Sequence, residues 1–215
     1  MRSKGILLVI SGFAGTGKGT LVKELTARYD NYALSVSATT RQPREGEEDG
    51  VHYFFTEKED FEQMIRDDML LEHACYVGNY YGTPKAYVEK KLEEGKDVIL
   101  EIEMQGALQI KEKYPETLLL FLAPPAAQTL ESRLRGRETE TEEVILKRLS
   151  RAVEEAEYMD RYDYLLVNDD LDECVKNAHA IIQSRHFTVA HNTEFREHLK
   201  KDLKNSFDHS CSQTE

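Results

Sequence analysis

Residues Gly12, Phe13, Ala14, Gly15, Thr16, Gly17, Lys18, Gly19 and Thr20 follow the apolar run Gly5-Ile6-Leu7-Leu8-Val9-Ile10-Ser11 and lead directly into Leu21-Val22-Lys23-Glu24-Leu25. That is strand, glycine-rich turn and helix, the context a phosphate-binding loop requires. Glycines let the backbone fold tightly enough for successive N–H groups to converge on one anion. The helix that follows adds unsatisfied N–H donors and the positive end of its dipole. Lys18 can then reach the outer phosphates, and Thr20, or a water it holds, can serve a magnesium ion. The loop therefore marks a site for a nucleoside triphosphate, and the nine residues from Gly12 to Thr20 are its candidate contacts.

The rest of the chain fits that start. At 215 residues it suits one compact domain with small insertions. Buried-looking apolar runs recur at 5–11, 33–36, 97–102, 117–122 and 164–167, with helix-patterned stretches at 18–29, 104–113, 127–135 and 142–159. Such alternation indicates an α/β fold whose parallel sheet is covered by helices on both faces. Two insertions break the rhythm. One, about 37–95, carries its own alternating segments at 51–55 and 70–76, with Thr56 and Glu59 as a capping box opening a helix through Arg66. It reads as a small mixed lobe on the core formed by 1–36 and 96–186. The other, about 136–141, is a short polar segment between two helices, a candidate lid. From 187 to 215 the sequence is a polar extension, expected to form an amphipathic helix over 192–205 and to be disordered in its last ten residues.

A net charge of −12 argues against general binding to nucleic acid or anionic membranes, so any polyanionic ligand must meet a local basic cluster. Cys75, Cys174 and Cys211 have no metal or redox spacing and read as free thiols of a reducing compartment. With no signal-like leader and no span of roughly 20 apolar residues, the expectation is a soluble, cytoplasmic protein. The histidines offer no ligand spacing. No Ser–His or Cys–His pair emerges, and Phe54, Tyr76 and Tyr80 read as packing residues.

Two further segments carry chemistry. In Ser37-Ala38-Thr39-Thr40-Arg41-Gln42-Pro43-Arg44, two arginines flank a stiffening proline. Guanidinium forks suit a bidentate grip on phosphate, but a solvated turn accounts for this segment alone equally well. In Val98-Ile99-Leu100-Glu101-Ile102-Glu103, an apolar strand ends in two acids, which a period of two places on one side. Carboxylates at that strand end sit beside a phosphate loop, where they can hold magnesium or its waters.

Taken together, Gly17-Lys18-Gly19-Thr20, the Ser37–Arg44 segment, Gly50-Val51-His52-Tyr53, Gly78-Asn79-Tyr80-Tyr81-Gly82-Thr83 and Arg135-Gly136-Arg137 occur in an order that resembles the guanylate kinase family, over about residues 5–185. The resemblance implies a P-loop NTPase-type sheet with an inserted GMP-binding lobe and a lid, and transfer of the γ-phosphoryl group of Mg-ATP to GMP, with dGMP as a further acceptor. It implies Lys18, Arg137 and Arg148 as catalytic cations, with the loop, Arg137 and Asn168 binding ATP. Ser37, Arg41, Arg44, Tyr53, Tyr81 and Glu103 would hold GMP, and Glu72 and Thr83 would meet its guanine. Thr20 and Glu101 would serve Mg2+, the latter through water.

The chemistry agrees at Glu72. Guanine presents N1–H and N2–H₂ donors that one carboxylate can accept, and adenine presents neither. Sites of that kind reject the wrong base by a factor of about 10⁴. Three positions depart from the family pattern: Glu103 stands for the usual aspartate, Glu138 for glycine beside Arg137, and Ala14 for serine. Two other readings belong to the same fold, a non-catalytic protein-binding module and a ribose-phosphate kinase. The sequence leaves monomer and homo-oligomer equally open.

Overall fold

A computed structural model describes residues 4–76, 78–136 and 141–212. Five strands form the central sheet: β1 (Leu7–Gly12), β2 (Tyr32–Leu34), β7 (Asp97–Glu101), β8 (Leu118–Ala123) and β9 (Tyr164–Val167). Their order is β2-β7-β1-β8-β9, and every pairing is parallel. β1 lies in the middle, with Val9 beside Leu100 on one flank and Leu119 on the other. A central parallel strand must be apolar on both faces, and Leu8, Val9 and Ile10 are all fully buried. Leu8 and Ile10 pack on one face with Leu21 and Leu25 of α1 (Lys18–Arg28) and Val175 and Ile182 of α7 (Leu171–Arg185). Val9 and Leu100 pack on the other with Val88 of α3 (Lys85–Glu93) and Ile110 of α4 (Met104–Lys113). Each such leucine or isoleucine contributes about 1.5–3 kcal/mol on burial.

The stretch between β2 and β7 builds a second sheet in the order β4-β3-β6-β5. Its strands are β3 (Ala38–Thr39), β4 (Phe54–Phe55), β5 (Leu70–Tyr76) and β6 (Asn79–Pro84). β3 and β4 are parallel, and the other pairings are antiparallel. Ala38, Phe61 and Leu70 close a small core of their own beneath α2 (Lys58–Arg66), where Phe61 stacks on Tyr80 with centroids 5.3 Å apart.

The expected capping box does not form. The N-cap of α2 is Glu57 and has no side-chain cap bond. The Thr56 N–H instead extends the β3–β4 pairing by donating to the Thr39 carbonyl at 3.0 Å. α5 (Ala127–Arg135) and α6 (Glu142–Ala156) flank the expected lid, of which Arg137 to Glu140 lie outside the described residues. α8 (Thr193–Ser212) runs past the expected helix end at 205, as a chain with no Gly or Pro after Gly136 can. Among the described residues, no helix is long and apolar enough to cross a membrane.

Candidate active site

The glycine-rich turn between β1 and α1 is held from several directions. Phe13 turns its ring into the core, edge-on to Phe121 at 5.0 Å. The Thr16 hydroxyl donates to the Phe13 carbonyl at 2.9 Å. Gly15 and Gly17 have φ of +88° and +91°, a backbone that a side chain would strain. At Gly17 a Cβ would also come within 2.8 Å of Asn168 Nδ2. That amide is committed to the loop, donating to the Thr16 carbonyl at 2.7 Å, while Arg133 donates to the Asn168 carbonyl at 2.9 Å. Asn168 is buried and clamps the loop from below. Lys18 Nζ curls back over the turn, donating to the carbonyls of Gly12 at 2.7 Å and Phe13 at 3.1 Å. Gly19 and Thr20 stand exposed at the start of α1.

A cavity of about 440 Å³ opens beside Lys18 and runs between the two sheets. Ser37, Tyr53, Tyr81, Glu101 and Glu103 line its walls, as do Glu72 and Gly106. Glu72 is 5% exposed, and its Oε1 accepts from the Thr83 hydroxyl at 2.7 Å. Burial pushes its carboxyl above the ordinary glutamate value, against the pull of Thr83 and of Lys113.

Glu101 is open to the cavity, yet the protein around it still strips water away. That desolvation raises its carboxyl, which Lys18 counteracts and Glu103 reinforces. β7 ends at Glu101, so Glu103 is not the next in-phase residue of a strand. It is the N-cap of α4, reaches the same cavity from there, and pairs with Arg151 at 3.5 Å. Arg151 in turn holds Glu155, a buried carboxylate of α6, at 3.0 Å.

Arg41 lies behind the cavity wall, its guanidinium 5.4 Å from the centre of the Tyr53 ring. Its charge is met by Glu47 at 2.8 Å, and the same carboxylate takes the Arg44 backbone N–H at 2.8 Å. Hydrogen bonding to Arg41, then to that N–H, holds the Glu47 carboxyl below the ordinary range. Nothing in the local sequence marks Glu47 as the organiser of this turn. His52, in sequence only a member of the Gly50–Tyr53 motif, also lines the cavity; its Nδ1 accepts the Glu48 N–H at 3.0 Å. Arg44 is exposed, and Arg148 is half-buried on α6. Neither these two nor Asn168 and Thr20 are on the cavity wall. Cys75 and Cys174 are free thiols, as expected.

The family model for guanylate kinase matches residues 4–185. The chain belongs to the guanylate kinase family. A guanylate kinase of Bacillus cereus is 55% identical over 188 residues, covering 86% of this chain and 92% of that one. One from Lactococcus lactis is 48% identical over 204 residues, covering 95% and 100%. The crystal structure of guanylate kinase from Anaplasma phagocytophilum superposes with a TM-score of 0.70 at 30% identity, over 87% of this chain and 89% of that chain. With the parallel sheet and its glycine-rich loop, the family makes this an ATP-dependent nucleoside monophosphate kinase, a nucleotide-binding transferase of the P-loop fold.

Proposed function

We propose that the protein transfers the γ-phosphoryl group of ATP to GMP, giving ADP and GDP, and that the residues around the cavity divide this work. One observation carries the reading: Lys18 at the phosphate loop and the buried carboxylate of Glu72 belong to a single cavity. A triphosphate on the loop and a guanine against Glu72 would therefore face each other across one space.

Glu72, steadied by the Thr83 hydroxyl, takes N1–H and N2–H₂ of the base. Ser37, Tyr53, Tyr81, Arg41 and Arg44 hold the GMP phosphate, with Glu103 beside them. Arg41 is prepared for this, because Tyr53 and Glu47 already fix its plane and less ordering is lost on binding. The attacking group is an oxygen of that phosphate, already ionised, so no general base is needed. It forms the new bond to the γ-phosphorus as the bond to the ADP oxygen breaks. Lys18 exchanges two backbone carbonyls for phosphate oxygens, Arg148 brings further positive charge from α6, and Arg137, in the expected lid segment outside the described residues, would add its own. Asn168 keeps the loop in its anion-binding shape. Closure of lobe and lid would exclude water and protect ATP from hydrolysis.

The oxygen donors at the loop fit Mg2+. Thr20 is exposed at the first turn of α1, and the Glu101 carboxylate lies 3.6 Å from where a Cβ on Gly19 would be. Among the described residues no three His, Cys, Asp or Glu side chains gather as a cage, so substrate phosphates and water would complete the shell. The ion would neutralise phosphate charge. A cytoplasmic site of action belongs to the same reading, supported by the free thiols, and the acidic surface fits small-molecule rather than nucleic-acid partners.

A coupled assay of ADP release tests this with GMP, dGMP, AMP and ribose phosphates as acceptors. Guanine nucleotides should be preferred by several powers of ten. Turnover of ribose phosphates would favour that rival, and absence of any turnover would favour a binding module.

A further inference from the structure

Glu72 has a second neighbour that its role above does not use. Gly106 lies in the first turn of α4 and is buried against the carboxylate. A Cβ placed on Gly106 would come within 2.7 Å of Glu72 Oε2 and 3.2 Å of its Cδ, and 3.2 Å from Ile102 Cδ1. The first of these is closer than a carbon and an oxygen can pack, so an alanine here would have to move something.

What moves is decided by how the surroundings are tied. Lys113, at the far end of α4, donates to the Leu71 carbonyl at 3.4 Å, and Ala107 and Ile110 of α4 pack in the same core as Leu71 of β5. Helix and strand are therefore coupled on both sides of Glu72, and neither can withdraw without opening the core. The end of the Glu72 side chain is the softest element in the contact. A methyl group would push Oε2 off α4, towards the space the guanine edge needs, or tear Oε1 from Thr83.

We propose that Gly106 is a positioning residue for base selection: the missing side chain lets the backbone of α4 back the Glu72 carboxylate, leaving both oxygens aimed at the guanine edge. This rests on Glu72 reading the base. A carboxylate has about four acceptor positions, of which the Thr83 hydroxyl and backbone N–H use two, so both guanine donors can be met at once. Gly106 need not touch the nucleotide. It acts through the place it leaves for Glu72.

Gly106→Ala separates this role from a purely structural one, because alanine is the better helix former and the displaced atoms are a side-chain end. The measurements are melting temperature, the KM for ATP, and kcat and KM for GMP and AMP, in wild type, Gly106→Ala, Glu72→Ala and the double variant. Gly106→Ala should keep its melting temperature and its KM for ATP, raise the KM for GMP by about tenfold or more with a smaller change in kcat, and lower the GMP/AMP ratio of kcat/KM by a similar factor. With Glu72→Ala already present it should change that ratio less than about twofold, since coupling between touching residues vanishes when one is removed.

If Glu72→Ala alone leaves the ratio unchanged, the reading of Glu72 fails and this one with it. If Glu72→Ala lowers the ratio but Gly106→Ala does not, only the role of Gly106 is overturned. Equal losses in both backgrounds would overturn it as well. Should Gly106→Ala prove poorly folded, the double variant must recover the wild-type melting temperature. Failure to recover would show that Glu72 is not what the methyl group displaces.

Discussion

Replacing Glu72 by glutamine keeps the size of the side chain and changes only what its end can accept. In the wild type, Oε1 takes the Thr83 hydroxyl at 2.7 Å, and the carboxylate still has lone pairs for both N–H groups of guanine. The amide cannot do this in either orientation. With its oxygen on Thr83, its NH₂ meets the guanine donors head-on. With the group flipped, NH₂ donates to the Thr83 oxygen and the single amide oxygen accepts one of the two guanine protons. The second orientation is better, and its loss is one hydrogen bond to a charged partner, about 1.5–3 kcal/mol. At about 1.4 kcal/mol per tenfold, kcat/KM for GMP should fall roughly ten- to 150-fold. AMP offers an acceptor at N1 and a donor at N6, which suit an amide, so its efficiency should hold or rise. The assay is ADP release with both nucleotides under identical conditions. An unchanged GMP/AMP ratio would remove Glu72 from base reading.

The same variant has an opposite effect on stability. Burial lifts the folded-state pKa of Glu72 above its unfolded value. A carboxyl shifted in that direction favours the fold most at pH below the unfolded value, and that contribution is lost as pH rises through the folded value. Glutamine carries no such charge. Glu72→Gln should therefore melt at or above the wild-type temperature near neutral pH, with the advantage shrinking as pH falls towards the ordinary glutamate range. Activity lost and stability gained in one variant is what a buried, functional carboxylate produces. A melting temperature well below wild type at neutral pH would mean that Thr83 needs the carboxylate more than burial penalises it.

Lys18→Met should reduce turnover by several powers of ten while the melting temperature stays close to wild type, since Lys18 is only half-buried and bonds to loop carbonyls that water can replace; near-normal turnover would refute the role given to the loop. Asn168→Ala orphans the buried Thr16 carbonyl, at about 1–3 kcal/mol, and should raise the KM for ATP while equilibrium binding of GMP alone is unaltered, as titration of each nucleotide would show. Asp97→Ala should destabilise the fold by about 3–5 kcal/mol in denaturant titration, because this buried carboxyl accepts from the Ile6 N–H and the Asn31 amide, both at 2.9 Å, and contacts His186 Nε2 at 2.9 Å. A loss below about 1 kcal/mol would show that water takes over those partners.

What could be read from the sequence follows how local each cause is. β1, β7 and β8 are buried on both faces, so they stand out as continuous apolar runs wherever they occur in the chain. β3 has two residues, too few to show a period, and exists because neighbours distant in sequence supply its pairing, while of the alternating segment 51–55 only Phe54–Phe55 pairs, as β4. α7 carries a helix signal of its own in the sequence. Leu171, Cys174, Val175, Ala178 and Ile182 follow helical spacing, and Asp170 caps the helix by accepting the Glu173 N–H at 2.9 Å. Asp97 carries no local signal, since its side-chain partners come from positions 6, 31, 183 and 186.

Glu101 and Glu103 show the difference within three residues. Alternation along a strand placed both acids on one side, and both do face the cavity, but only Glu101 does so for that reason. The strand stops at Glu101, the backbone turns into α4, and Glu103 enters the cavity from the cap of that helix, where Arg151 of α6 holds it. An acid on a helix cap tied to the arginine of another helix moves with those helices, whereas one on a buried strand cannot. The Glu103 side chain reaches Arg151 from that cap. It joins the wall of the proposed GMP site to α6, the helix that follows the expected lid segment.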